Sequence, residues 1–216
     1  MRTLSRAEEA SRAGAATRAA QQPIAGFRPG DALLVVDVQQ DFLPGGALAV
    51  REGDAVIPVL NRYIERFRRQ GLPIFATRDW HPPDHCSFRE RGGPWPLHCV
   101  AGSPGAELPG ALVLPPRTPM ISKATSPDKE AYSGFDGTDL AARLHQLGCR
   151  RVFIGGLTTD YCVRTTALDA LQAGLEVVVL VDATRPVDVQ PGDGARALAE
   201  ITTQGARLAT SSELIP

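Results

Sequence analysis

Ala32–Val36 is an unbroken apolar run that stops at Asp37. Such a run offers no polar face to water, so it predicts a strand buried on both sides of a sheet. A second short apolar run covers Pro73–Thr77, and further strands are expected at Pro119–Ser122, Arg151–Ile154 and Glu176–Val181, with a short strand near Ala206–Ala209. Helical segments separate them. Asp54–Gln70 places Val56, Val59, Leu60, Tyr63, Ile64 and Phe67 at helical spacing and stops at Gly71. Thr138–Leu147 stops at Gly148, Asp160–Ala173 stops at Gly174, and a last helix covers roughly 194–204. These are ordinary helix ends, because glycine accepts the left-handed conformation that closes a helix.

Strands alternating with helices predict a mainly parallel sheet with helices on both faces: one three-layer α-β-α domain over residues 26–216. Residues 1–25, rich in Ala, Arg, Glu, Gln and Ser, read as a mobile leader outside it. The chain has 216 residues, 43% of them hydrophobic, which suffices for a core of this size. A formal net charge of −1, with basic residues dispersed apart from Arg66, Arg68 and Arg69, argues against nucleic acid as a partner. No apolar run approaches the length of a membrane span, and no signal-peptide core opens the chain, so a cytoplasmic location is expected. The four cysteines are too few and too scattered for a disulfide framework.

In sheets of this class ligands bind beyond the carboxyl ends of the strands. Asp37, Asp79, Lys123, the Gly155–Thr159 turn and Asp182 all stand at such ends, and the first four converge if their strands are neighbours. Cys162 falls in the first turn of the expected 160–173 helix, where free N–H groups and the helix dipole lower a thiol's pKa and can hold a developing oxyanion. An Asp beside it can take its proton, and a Lys beside both favours charged forms. The alternative reading makes Cys162 inert filler behind the helix, and Asp37 and Lys123 ordinary strand ends. Asp79 and His81, two apart, project to one side of extended chain. With a distant His98 they give one carboxylate and two nitrogens, a ligand set suited to a divalent metal with open positions. Three of the four histidines lie in the Pro- and Gly-rich stretch 80–117, which reads as a long functional loop. A structural zinc site that also uses Cys86 and Cys99 is the rival, and it lacks the usual C-x-x-C spacing.

Five blocks carry a family resemblance: D-V-Q-Q-D-F (37–42), D-W-H-P-P-D-H-C-S-F (79–88), W-P-L-H-C-V-A-G-S-P-G-A-E-L (95–108), K-A-T-S-P-D-K-E-A-Y-S-G-F (123–135) and G-G-L-T-T-D-Y-C-V (155–163). In this order and at these separations the chain resembles the nicotinamidase/pyrazinamidase family of the isochorismatase-like cysteine hydrolases over residues 30–210. The resemblance implies a metal-dependent amidase that hydrolyses nicotinamide to nicotinate and ammonia in NAD salvage, and acts on pyrazinamide too. It implies Asp37, Lys123 and Cys162 as the catalytic triad. Asp79, His81 and His98 would hold one divalent metal per chain, zinc favoured, with iron or manganese as alternatives. The Leu157–Thr158 peptide would be cis, and the backbone N–H groups of Thr158 and Cys162 would form the oxyanion hole. Phe42, Trp95 and Tyr132 would line the ring pocket. His85 would stand at the rim of the metal site and Ser87 would support the metal through water. Relatives of this kind are often homo-oligomers. Two positions depart from the family's habit: Thr158 stands where Ala is frequent and Ala124 where Gly is frequent. Two other readings stay open, an amidase acting on another small amide and a non-catalytic metal-binding protein on the same fold.

Overall fold

The structure is a computed structural model that describes residues 26–214, so the expected 1–25 leader lies outside the described residues. Six strands form one sheet: β1 (Asp31–Val36), β2 (Ile74–Asp79), β3 (Met120–Lys123), β4 (Arg151–Leu157), β5 (Glu176–Arg185) and β6 (Arg207–Ala209). Their order is β3-β2-β1-β4-β5-β6 and every pairing is parallel. The helices are α1 (Val56–Arg69), α2 (Leu140–Gln146), α3 (Arg164–Gln172), α4 (Asp193–Thr203) and α5 (Ser211–Leu214). Among the described residues no helix is long and apolar enough to cross a membrane.

Side-chain alternation along the strands splits the core into two layers. Leu33, Val35, Phe153 and Val178 meet Leu60, Tyr63, Ile64 and Phe67 of α1 on one face. Ala32, Leu34, Val36, Val152 and Ile154 meet Leu140 and Leu144 of α2, Ala167 and Ala170 of α3, and Ile201 of α4 on the other. A strand in such a position is apolar on both faces, which is why the runs are continuous rather than alternating. Burying each large aliphatic side chain contributes about 1.5–3 kcal/mol, so the two layers carry most of the fold's stability.

The strand order turns on β1. The chain proceeds outward to β2 and β3, then returns to the other side of β1 as β4. Ligands of doubly wound sheets bind at this reversal, beyond the carboxyl ends of the two central strands. Here those ends are Asp37 and the Leu157–Cys162 turn. Gly156, at φ +129°, pairs with Val36, and a Cβ there would overlap the Val36 backbone. That is the physical need behind one glycine of the Gly155–Gly156 pair.

Two boundaries differ from expectation. β5 does not stop before Asp182 but continues to Arg185, because its register against β4 shifts between Ile154 and Gly156. Asp182 accepts hydrogen bonds from the Tyr63 hydroxyl (3.1 Å) and the Ser211 N–H (2.7 Å), tying α1 and α5 to the sheet rather than reaching the site. The expected 160–173 helix opens instead as a wide π-type turn, Thr159–Val163, with α3 proper starting at Arg164. No side chain caps it; Asp160 accepts from the N–H groups of Val187 (2.9 Å) and Asp188 (2.8 Å) and so anchors the chain after β5. Such wide turns gather at functional sites.

Candidate active site

Adjacent parallel strands deliver the charged residues side by side. Lys123 ends β3, Asp79 ends β2 and pairs with it in register, Asp37 follows β1, and Cys162 lies in the turn after β4. All four are buried. The Lys123 ammonium donates to Asp79 Oδ1 (2.5 Å) and to the Ala131 carbonyl (3.3 Å). It stands 2.9 Å from Asp37 Oδ2 and 3.4 Å from Cys162 Sγ. Asp37 Oδ1 accepts from the Thr77 hydroxyl (2.6 Å), while Oδ2 faces the Lys123 ammonium. The thiol and one carboxylate oxygen each from Asp37 and Asp79 lie within 4.8 Å of one another.

Electrostatics follow from burial among unlike charges. Burial pushes the Asp37 carboxyl up, Lys123 pulls it back and Asp79 raises it again, leaving it at about 6. Burial opposes the charge on Lys123, but Asp37 and Asp79 hold its pKa well above the ordinary value. Burial also works against ionised Asp79, yet Lys123, His81 and His98 keep its carboxyl below the usual range. The Cys162 thiol goes the opposite way from the expected lowering. Burial raises its pKa well above normal, and Asp37 and Asp79 add to this against the pull of Lys123. The resting residue is therefore a thiol that needs a base, and the Asp37 carboxylate lies within 4.8 Å of it.

Asp79, His81 and His98 come together as the sequence predicts, with one ligand atom from each within 4.8 Å of the others. His81 Nδ1 faces the His98 carbonyl (3.1 Å) and His98 Nδ1 faces the Pro96 carbonyl (2.8 Å). A carbonyl only accepts, so each Nδ1 carries the proton and each Nε2 presents a lone pair. Burial lowers the His81 pKa to about 4 against the pull of Asp79, with the rings of His98 and His85 adding to the lowering, so this ring is neutral at pH 7. His85 differs, since both its nitrogens are engaged: Nδ1 with Ser87 Oγ (2.7 Å) and Nε2 with the Lys129 carbonyl (3.1 Å). Cys86 and Cys99 are free thiols outside this ligand group.

A narrow cleft opens above these groups, with Asp79, His98, Thr158 and Cys162 in its lining. Phe42, Trp95 and Tyr132 wall it, the three positions expected to line a ring pocket. The Trp95 indole N–H donates to the Tyr132 hydroxyl (2.9 Å), fixing two walls at one angle. The Leu157–Thr158 peptide is cis, as the resemblance implies.

Known proteins resemble this chain in sequence and in fold. Residues 31–213 match the isochorismatase domain. The nicotinamidase of Escherichia coli (strain K12) is 38% identical over 206 residues, spanning 86% of this chain and 97% of that protein. The crystal structure of the pyrazinamidase of Pyrococcus horikoshii in complex with zinc superposes with a TM-score of 0.81 at 56% identity, covering 84% of this chain and 99% of that one. PnC1 of L. infantum, solved in complex with nicotinate, gives a TM-score of 0.82 at 39% identity over 90% of this chain and 99% of that one. The chain belongs to the nicotinamidase/pyrazinamidase family of isochorismatase-like hydrolases. It is an amidohydrolase.

Within this nicotinamidase/pyrazinamidase site several residues escape a linear reading. Leu48, Tyr161 and Val187 also line the cleft. Tyr161 stacks edge-on against Trp95 (5.0 Å between ring centres) and tilts against Tyr132 (5.4 Å). Its place beside Cys162 was the available signal; Leu48 and Val187 arrive from loops with no pattern. Thr77 looks like a plain strand residue until β2 is set next to Asp37.

Proposed function

We propose that the chain hydrolyses nicotinamide, and pyrazinamide as a close analogue, through a thioester on Cys162. The observation that carries this reading is the buried trio, Lys123 Nζ 2.9 Å from Asp37 and 3.4 Å from the Cys162 sulfur, at the base of an aromatic cleft. A purely metal-binding module has no use for a buried base, cation and thiol aligned in this way.

Asp37 Oδ2 takes the thiol proton, and Lys123 balances the charge in both states. The sulfur attacks the carboxamide carbon while the ring lies between Phe42, Trp95 and Tyr132. The backbone N–H groups of Thr158 and Cys162 hold the oxygen as it becomes negative. Losing one such donor costs on the order of 100-fold in rate. Asp37 then passes its proton to the departing nitrogen, ammonia leaves, and the acyl group stays on sulfur. Asp37 next draws a proton from water, the hydroxide attacks the thioester, and nicotinate leaves as the thiol is restored.

Asp79, His81 and His98 fit a divalent ion by donor type, by two outward lone pairs fixed by carbonyls, and by burial. Such an ion, zinc favoured with iron or manganese as alternatives, would supply a Lewis-acid contact for a ring nitrogen at that wall. His85 and Ser87 would buttress the His81 side through their mutual hydrogen bond. The four free thiols fit a reducing compartment such as the cytoplasm.

The test is ammonia release from nicotinamide before and after chelation, with zinc, iron or manganese restored. Loss on chelation and recovery with metal is the expected result; full activity in the chelated protein would remove the metal from the reading. The Asp37 carboxyl adds a pH signature. A base must be ionised, so kcat/KM should fall about tenfold per pH unit below about 6 and level off above it. An acid limb at ordinary carboxylate pH would show that Asp37 is not the titrating base.

A further inference from the structure

We propose that Gln39 is a positioning residue whose carboxamide acts as an extra rung of the sheet and sets the place of Asp79. The inference rests on the reading of Asp79, His81 and His98 as a metal site. Backbone pairing of β1 with β2 runs through Leu33, Leu34 and Val35, and its last contact is the Asp37 N–H on the Thr77 carbonyl (3.3 Å). Asp37 then takes φ +48° and the chain leaves the sheet. Two residues further along β2, the N–H and carbonyl of Asp79 face the gap this departure leaves. Buried peptide groups without partners cost about 1–3 kcal/mol each, so something must fill it.

The Gln39 side chain does so. Its Oε1 accepts from the Asp79 N–H (2.8 Å) and its Nε2 donates to the Asp79 carbonyl (2.8 Å), reproducing the paired bonds of a neighbouring strand. The second hydrogen of Nε2 reaches the Ala106 carbonyl (2.9 Å), in the loop that follows His98. Gln39 is fully buried, and its own N–H bonds the Asp37 carbonyl (2.9 Å). Two residues on, Asp41 Oδ2 accepts from the Cys99 N–H (2.7 Å), pinning the same loop beside His98. One residue thus joins, through its backbone, the residue that bears the base and, through its side chain, the residue whose carboxylate lies among Lys123 and the two imidazoles and the loop behind the second imidazole. Only a planar group with two donors and an acceptor can make these three bonds, which singles out the amide.

Two variants test this. Gln39→Met keeps the bulk and removes every bond. Gln39→Glu keeps the acceptor for the Asp79 N–H but turns a second carboxylate oxygen toward two carbonyls. The readout is Zn²⁺ affinity of the metal-stripped protein, by competition with a chromophoric chelator, beside circular dichroism to confirm folding. Both folded variants are expected to bind Zn²⁺ on the order of 10–100-fold more weakly than the wild type, the usual effect of losing a group that orients a ligand. Wild-type affinity in either folded variant overturns the proposal. Failure of both to fold also overturns it, since Gln39 would then be a structural residue only. A wild-type chain that binds no Zn²⁺, with His81→Ala making no difference, overturns the metal reading underneath and shows itself before any Gln39 variant is made.

Discussion

Cys162→Ala is expected to reduce nicotinamide turnover by at least about 10⁴-fold while leaving the fold and the metal content unchanged. The sulfur lines the cleft 3.4 Å from the buried ammonium and within 4.8 Å of the Asp37 carboxylate. Its removal takes away the atom that accepts the acyl group, and a methyl group fills most of the space, so packing changes little. The measurement is steady-state ammonia release, with metal content and thermal unfolding followed in parallel. A variant retaining even a tenth of wild-type turnover would put the nucleophile elsewhere. Mass spectrometry supplies a second check, because the wild type quenched during turnover should carry a nicotinoyl adduct on Cys162 and the variant none.

Lys123→Met is expected to abolish activity and to destabilise the protein by about 3–5 kcal/mol, the usual cost of removing one partner of a buried ion pair. Lys123 lies between Asp37 and Asp79 with essentially no exposure. Without it two carboxylates face each other in a dry site. The deficit should shrink as pH falls, because protonating one carboxylate removes the uncompensated charge. Asp37→Asn makes the informative contrast. It leaves Lys123 paired with Asp79 at 2.5 Å, so it should cost far less stability while still removing the base. Urea unfolding of both variants at neutral and mildly acidic pH measures this. Equal and small losses for the two would mean that Lys123 is not the counter-ion of the pair.

The central strands β1 and β4 were legible because they are buried on both faces. Residues 33 and 35 face α1 while 32, 34 and 36 face the other helices, and no amphipathic strand of an open sheet would read so plainly. The β5 boundary was misjudged because Asp182 looks like a strand end. Its partners, Tyr63 and Ser211, lie 119 and 29 residues away in the chain, and no local pattern reports a carboxylate satisfied at such a range. The helix start differs for a similar reason, since Asp160, expected to open the helix, instead binds the chain at Val187 and Asp188.

The sequence by itself determined the layer architecture and the family, and marked Asp37, Asp79, His81, His98, Lys123 and Cys162 as the candidate site, which the fold brings together. Residue type and ordered motif spacing are properties of the chain. Only the tertiary structure decided that burial raises the Cys162 pKa, that Asp37 meets both Thr77 and Lys123, and that Gln39 and Tyr161 stand at the site. Those facts depend on burial and on distances between strands that are neighbours in space but not in sequence. A pKa is set by the charges and solvent around a group, and a hydrogen bond by the direction of its donor, and both come into being only when the sheet brings the strand ends together.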